Sequence, residues 1–150
     1  ARCPAVILGG STDAGLESTI VALRDKSQWS LLRPGPVTKE ALEEILGAET
    51  ALAKTRIEAP GQMARHYSPG KPLRPNATEV AQDEFWIGFG SFAGDCNLSE
   101  SGDLEMAAAE LYECLHRAAA SPKPCIAVAP IPKIGIGRAI NDRLKRAATQ

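Results

Sequence analysis

Between residues 59 and 76 the chain carries Pro60, Pro69, Pro72 and Pro75 together with Gly61 and Gly70. Proline fixes φ and removes a backbone donor, while glycine adds conformational freedom, so this stretch is predicted to hold no regular structure. Fully extended, it could cross about 60 Å. It therefore reads as a linker, drawn over residues 48–76, between a first unit (1–47) and a second (77–150). A length of 150 residues fits either one domain or two small pieces so joined.

In the first unit, Ala5-Val6-Ile7-Leu8 closed by Gly9-Gly10 reads as a short buried strand entering a polar loop. Ser18 to Leu23 and Trp29 to Arg33 suggest two strands joined by a turn, which Pro34-Gly35-Pro36 ends. Thr38 suits a helix N-cap, Glu40 its first turn and Gly47 its stop. A further short strand is possible at Ala53 to Ile57. In the second unit, Phe85 to Phe89 reads as a strand. Leu104, Ala108, Leu111, Leu115 and Ala118 form one helical face after a Ser101 cap, Cys125 to Ala129 a second strand, and Ile136, Ile140, Leu144 and Ala147 a last helix. Strand, helix, strand, helix predicts an α/β fold with a parallel layer. Only 74 residues carry that layer, so its stability is expected to draw on packing against the first unit.

Composition excludes some functions. Hydrophobic residues are 44% and charged residues 23%, as in a soluble globular chain, and no apolar run approaches the ~20 residues of a membrane span. No membrane partner and no secretory signal are expected. Seventeen Lys and Arg against 18 Asp and Glu give a net charge of -1, which steers the whole molecule toward no polyanion. Residues 59–76 nevertheless hold Arg65, Lys71 and Arg74 without an acid, and residues 133–150 hold five cations against Asp142. Either patch could hold an anion. Cys3, Cys96, Cys114 and Cys125 are scattered without metal-ligand spacing, and are expected to be reduced thiols of a cytoplasmic protein.

Three segments could carry chemistry. Gly15-Leu16-Glu17-Ser18-Thr19 brings two hydroxyls and loop amides to a strand start, groups that hold an anion without adding charge. Read alone, such hydroxyls are more often ordinary β-formers. Arg33-Pro34-Gly35 fixes a guanidinium beside a rigid turn, and its fork suits phosphate. Arg65-His66-Tyr67-Ser68-Pro69 places a cation, an imidazole and a phenol in the linker, where they could fold over a nucleotide or serve as docking contacts. Gly135-Ile136-Gly137 reads as a tight turn for helix packing more than as an anion site, and His116 as a surface residue.

Taken in order, Gly15 to Val21, Leu32 to Gly35, Ala59-Pro60-Gly61-Gln62-Met63, His66-Tyr67-Ser68-Pro69 and Ile140-Asn141-Asp142-Arg143-Leu144 resemble threonylcarbamoyl-AMP synthase. The likeness is to its long form, in which a YrdC-like catalytic domain precedes a linker and a small parallel Rossmann-like domain. It implies that residues 1–47 are the tail of a partial α/β YrdC-like segment and 77–150 the Rossmann-like domain. The family makes threonylcarbamoyl-AMP from L-threonine, bicarbonate and ATP, releasing pyrophosphate, with magnesium accompanying the nucleotide. The product serves modification of tRNA, a downstream target. By matching position, the resemblance implies that Ser18, with Thr19 beside it, contacts threonine. It likewise implies that Arg33 contacts ATP and that Tyr67, with His66, brings the linker over the nucleotide.

Ala22 stands where the family's motif usually continues into an aspartate, so the polar contact there is not carried over. The family's Lys-x-Arg and Ser-x-Asn elements, which precede the matched stretch, do not occur before Gly15 in this sequence. The expectation is therefore a C-terminal part of the synthase, inactive alone and with no tightly bound cofactor. Its cut edge would expose apolar strand surface and favour a homodimer. The competing reading is a non-catalytic module that docks RNA or protein through the basic linker and last helix.

Overall fold

The computed structural model describes residues 5, 7, 9, 12, 14–24, 28–50, 58 and 68–149. Of the expected buried strand Ala5 to Leu8, Ala5 and Ile7 are described, neither lies in a strand and Ile7 is 95% exposed, while the expected strand at Ala53 to Ile57 falls outside the described residues. Strand β1, Ile20–Leu23, pairs antiparallel with β2, Trp29–Arg33, in the register Ile20↔Arg33 and Leu23↔Trp29. Trp29 is buried although the ribbon is only two strands wide, because its indole donates to Gly47 O at 2.9 Å after helix α1, Lys39–Leu46. Thr38 caps α1 by accepting from Ala41 N, and Gly47 ends it at φ +76°, a left-handed value that favours glycine. No residue of α1 is buried, and Ile45 is 82% exposed.

The second unit is a four-stranded parallel sheet in the order β3-β6-β4-β5, formed by Leu73–Arg74, Cys125–Val128, Glu84–Gly88 and Cys96–Asn97. Helix α2, Leu104–Ala120, crosses from β5 to β6, and α3, Gly137–Ala147, follows β6. α2 packs on α3, β4 and β5, and the core between them includes Ile87, Leu98, Leu111, Ile126, Val128 and Ile140. The two central strands carry continuous apolar runs, Phe85 to Ile87 in β4 and Cys125 to Val128 in β6, as sheet strands covered by helices do. The predicted α/β fold with a parallel layer is thus observed.

Three expectations need correction. Leu73–Arg74 forms an edge strand inside the proline-rich stretch, with Leu73 opposite Ile126. Prolines flanking an edge cost no ladder bond, and Pro72 O even accepts from Ile126 N at 2.9 Å. The α2 cap is Asp103, whose side chain accepts from Met106 N at 2.8 Å; Gly102, at φ +77°, separates Ser101 from the helix. Cys96 and Cys114 form a disulfide, so two of the four sulfurs are not free thiols. The fold sets β5 against α2 with those Cα atoms 5.9 Å apart, a proximity that a separation of 18 residues did not reveal. The Gly135-Ile136-Gly137 turn does serve packing: a Cβ on Gly137 would lie 2.1 Å from Pro132 O.

Side chains tie down the sheet edges. Lys71 donates to Ala118 O and Ser121 O at 2.9 and 2.6 Å, closing the C-terminus of α2 where a cation complements the helix dipole. Arg74 reaches across β6 to grip Glu84 with two bonds of 2.9 and 2.6 Å, and Glu84 also accepts from Ala81 N. The Arg74 hydrogen bond holds the Glu84 carboxyl below its ordinary pKa of 4.5. The unfolded chain therefore binds more protons there, and this contribution to stability, present above about pH 4.5, is lost as pH falls through the lower native value. Urea titrations from pH 6 to pH 3 should show that loss, and Glu84→Gln should flatten it. Replacing both Cys96 and Cys114 should lower the unfolding free energy by about 3 kcal/mol in the same assay, as a loop of that size predicts.

Candidate functional site

The loop before β1 lies flat on α2. Gly15 adopts φ +62°, and a Cβ there would meet Ala109 Cα at 2.4 Å, so only glycine allows this approach. Two residues on, the Glu17 carboxylate accepts from the Tyr112 hydroxyl of α2, 3.1 Å from each oxygen, and from Arg143 Nε of α3 at 3.0 Å. The Arg143 side chain is fully buried; its Nη1 donates to Pro34 O at 2.9 Å and to Asp142 at 3.1 Å. Asp142 is in turn held by both ends of the Arg146 fork.

The hydroxyl loop and the arginine turn meet directly. Arg33 donates from Nε and Nη2 to Ser18 O at 3.0 and 2.9 Å, and from Nη2 to the Ser18 hydroxyl at 3.2 Å. Thr19 donates its hydroxyl to Val37 O at 2.8 Å. Gly35 packs so closely that a Cβ would sit 2.5 Å from Thr19 N and 2.7 Å from Glu17 O. Ser18 is exposed while Arg33 is almost entirely buried, so a hydroxyl faces solvent over a guanidinium that fixes its loop. Such a surface can orient a small polar ligand and lower the cost of negative charge nearby.

Of the residues singled out in the sequence, the structure brings Ser18, Thr19 and Arg33 together. His66 and Tyr67 lie outside the described residues. The next two residues, Ser68 and Pro69, line a cavity of about 320 Å³ with Tyr112, Leu115, His116 and Ala119. Tyr112 thus touches both that cavity and Glu17. His116 is exposed, as expected. Among the described residues no three His, Cys, Asp or Glu side chains gather to hold a metal ion.

Of the residues that join the site to the second unit, Tyr112 is not singled out by the sequence, while Glu17 and Arg143 are read only as parts of the hydroxyl loop and the basic last helix. A signal was present: Arg143 sits seven residues after Ile136 and three after Ile140, on the apolar stripe of the last helix. A charge on such a stripe is buried with a partner.

A family model described as threonylcarbamoyl-AMP synthase, C-terminal domain, matches residues 37–149. The chain belongs to this family. It is 29% identical over 171 residues to the threonylcarbamoyl-AMP synthase of Bacillus subtilis and 26% identical over 168 to that of Pyrococcus abyssi. These alignments cover 98% and 95% of the chain but 49% and 48% of the relatives, so it spans about half their length. The structure of P. abyssi Sua5 complexed with L-threonine superposes with a TM-score of 0.72 at 24% identity, over 93% of this chain and 48% of that one. A P. abyssi Sua5 in which an adjacent histidine and tyrosine are both alanine matches with the same TM-score at 23% identity, over 93% and 47%. Both share the fold.

The close approach at Gly35 gives a direct test of the site's geometry. Gly35→Ala should cost about 1–3 kcal/mol of stability, as overpacking of a tight contact does. Amide NMR signals of residues 17–20 and 33–37 should shift while those of β4 and β6 stay in place.

Proposed function

We propose that this chain is the C-terminal part of an L-threonylcarbamoyladenylate synthase and contributes one wall of its active site. The contact between the Ser18 hydroxyl loop and Arg33, in a member of this family, carries the reading. In it Ser18 contacts L-threonine with Thr19 beside it, and Arg33 contacts ATP. Tyr67, flanked by His66, folds the linker over the nucleotide. The relative solved with L-threonine, and the variant altered at an adjacent histidine and tyrosine, support looking for threonine and a linker contact here.

The chemistry asks for positioning more than for a protein nucleophile. The threonine amine and bicarbonate condense to a carbamate with loss of water, a carbamate oxygen attacks the α-phosphate of ATP, and the bond to the β-phosphate breaks as pyrophosphate leaves. The protein must hold the reactants in line and neutralise charge on the phosphates. In this reading magnesium accompanies the nucleotide and is held mainly by its phosphates. The product passes on to cytoplasmic tRNA modification. The exposed Leu23, Val37 and Ile45 mark a seam covered by the rest of the catalytic domain or by a second copy.

The docking reading loses much of its charge in the folded chain. Arg143 is buried on Glu17, Arg146 is paired with Asp142, and Arg138 reaches Glu40 at 2.6 Å. Three of the five cations counted in residues 133–150 are thereby engaged.

A polypeptide limited to these 150 residues should release no pyrophosphate from ATP, threonine and bicarbonate. In a full-length synthase containing it, Arg33→Ala should lower kcat/KM by about a hundredfold, as loss of a charge-stabilising donor does. Robust turnover by the short chain, or an unaffected Arg33→Ala enzyme, would refute the reading. Tight tRNA binding by the short chain that weakens steeply with salt would favour docking instead.

A further inference from the structure

Arg143 belongs to the last helix of the second unit, yet its guanidinium engages both segments that build the site. Its Nε and Nη2 each lie 3.0 Å from Glu17 Oε2, and Nη1 lies 2.9 Å from Pro34 O. Glu17 is the residue before Ser18, and Pro34 is the residue after Arg33. Arg33 closes the circuit by donating to Ser18 O. The result is a ring of five links: Arg143 to Glu17, the chain to Ser18, the hydrogen bonds to Arg33, the chain to Pro34, and back to Arg143.

We propose that Arg143 is a positioning residue for the synthase reaction: it sets the spacing of Ser18 and Arg33 by holding their chain neighbours on one buried planar fork. The inference rests on the reading that Ser18 and Arg33 face threonine and ATP. Tyr112 steadies the ring from outside, since its hydroxyl reaches both oxygens of Glu17. A contact that merely docked the two units could fall anywhere on the first one. Here both acceptors fall one residue from a substrate-facing group. A guanidinium offers several donors in a fixed plane, so it can serve a carboxylate and a carbonyl at once, whereas a lysine ammonium is a point charge on a flexible stem.

The test uses a full-length synthase containing this segment, following pyrophosphate release with threonine varied and thermal unfolding in parallel. Arg143→Lys keeps the charge but opens the ring; it should raise the KM for threonine about tenfold in folded enzyme, since small misplacements weaken substrate alignment steeply. Tyr112→Phe should raise that KM about threefold in enzyme assayed well below its unfolding midpoint. A purely structural role would lower kcat in proportion to the folded fraction and leave KM alone. Folded Arg143→Lys and Tyr112→Phe enzymes with threonine KM within about twofold of wild type would overturn the inference. Should Arg143→Lys fail to fold, Tyr112→Phe decides by the same criterion. A wild-type enzyme with no threonine-dependent pyrophosphate release overturns the proposed reaction and the inference with it, while a wild type that turns over beside variants of unchanged KM overturns the inference alone.

Discussion

A cation with no exposed surface, Arg143, meeting a carboxylate that is 35% exposed, Glu17, is the interaction on which the two halves of this molecule depend. Burying a charge is costly unless its attraction and its hydrogen bonds are both well placed, and removing one partner of such a pair typically costs about 3–5 kcal/mol. Here the guanidinium finds Glu17, Pro34 O and Asp142, and the carboxylate finds Arg143 and the Tyr112 phenol. Apolar residues could supply similar stability, but they would fix no register. The directional pair holds Glu17, Pro34, Tyr112 and Arg143 in one arrangement.

Among the described residues both units are built from few and short strands. An isolated two-stranded ribbon is marginal in water, and β1–β2 is such a ribbon, followed by a helix that buries no residue of its own. The parallel sheet is four strands wide, with β3 and β5 only two residues long. Its short edges are reinforced by Lys71 on the end of α2, by Arg74 on Glu84 and by the Cys96–Cys114 pair. Cys114 is fully buried within the core, so apolar packing around α2 shares the work of the crosslink.

Periodicity made the second unit readable. Continuous apolar strands and a 3.6-residue helical stripe survive without knowledge of partners, so β4, β6, α2 and α3 were placed within a residue or two. Thr38 and Gly47 marked α1 because caps are local chemistry. What sequence could not show were relations across distance: the Glu17–Arg143 contact spans 126 residues, and the Cys96–Cys114 bridge depends on a strand and a helix being set face to face. β3 was missed because the signal there was proline, which forbids ladder donors but leaves a short edge strand possible. Ser18, Thr19 and Arg33 were legible as candidates through residue type and resemblance. Their mutual contact was not, since no local pattern records that Gly35 closes on Thr19.

A second ion pair at the same junction shows why Arg143 carries the positioning. Arg138 on α3 reaches Glu40 on α1 at 2.6 Å, yet those side chains are 42% and 49% exposed. Exposed pairs of this kind contribute about 0–1 kcal/mol, are screened by salt and tolerate many geometries. Arg143 has no such latitude: its side chain is enclosed, its donors are directed, and its acceptors across the junction, Glu17 and Pro34 O, belong to the two segments that meet at Ser18. The junction therefore combines a weak, adaptable contact at its rim with a stiff one beneath the hydroxyl loop. Stiffness placed there is what the proposed reaction, which relies on alignment, would ask of a scaffold.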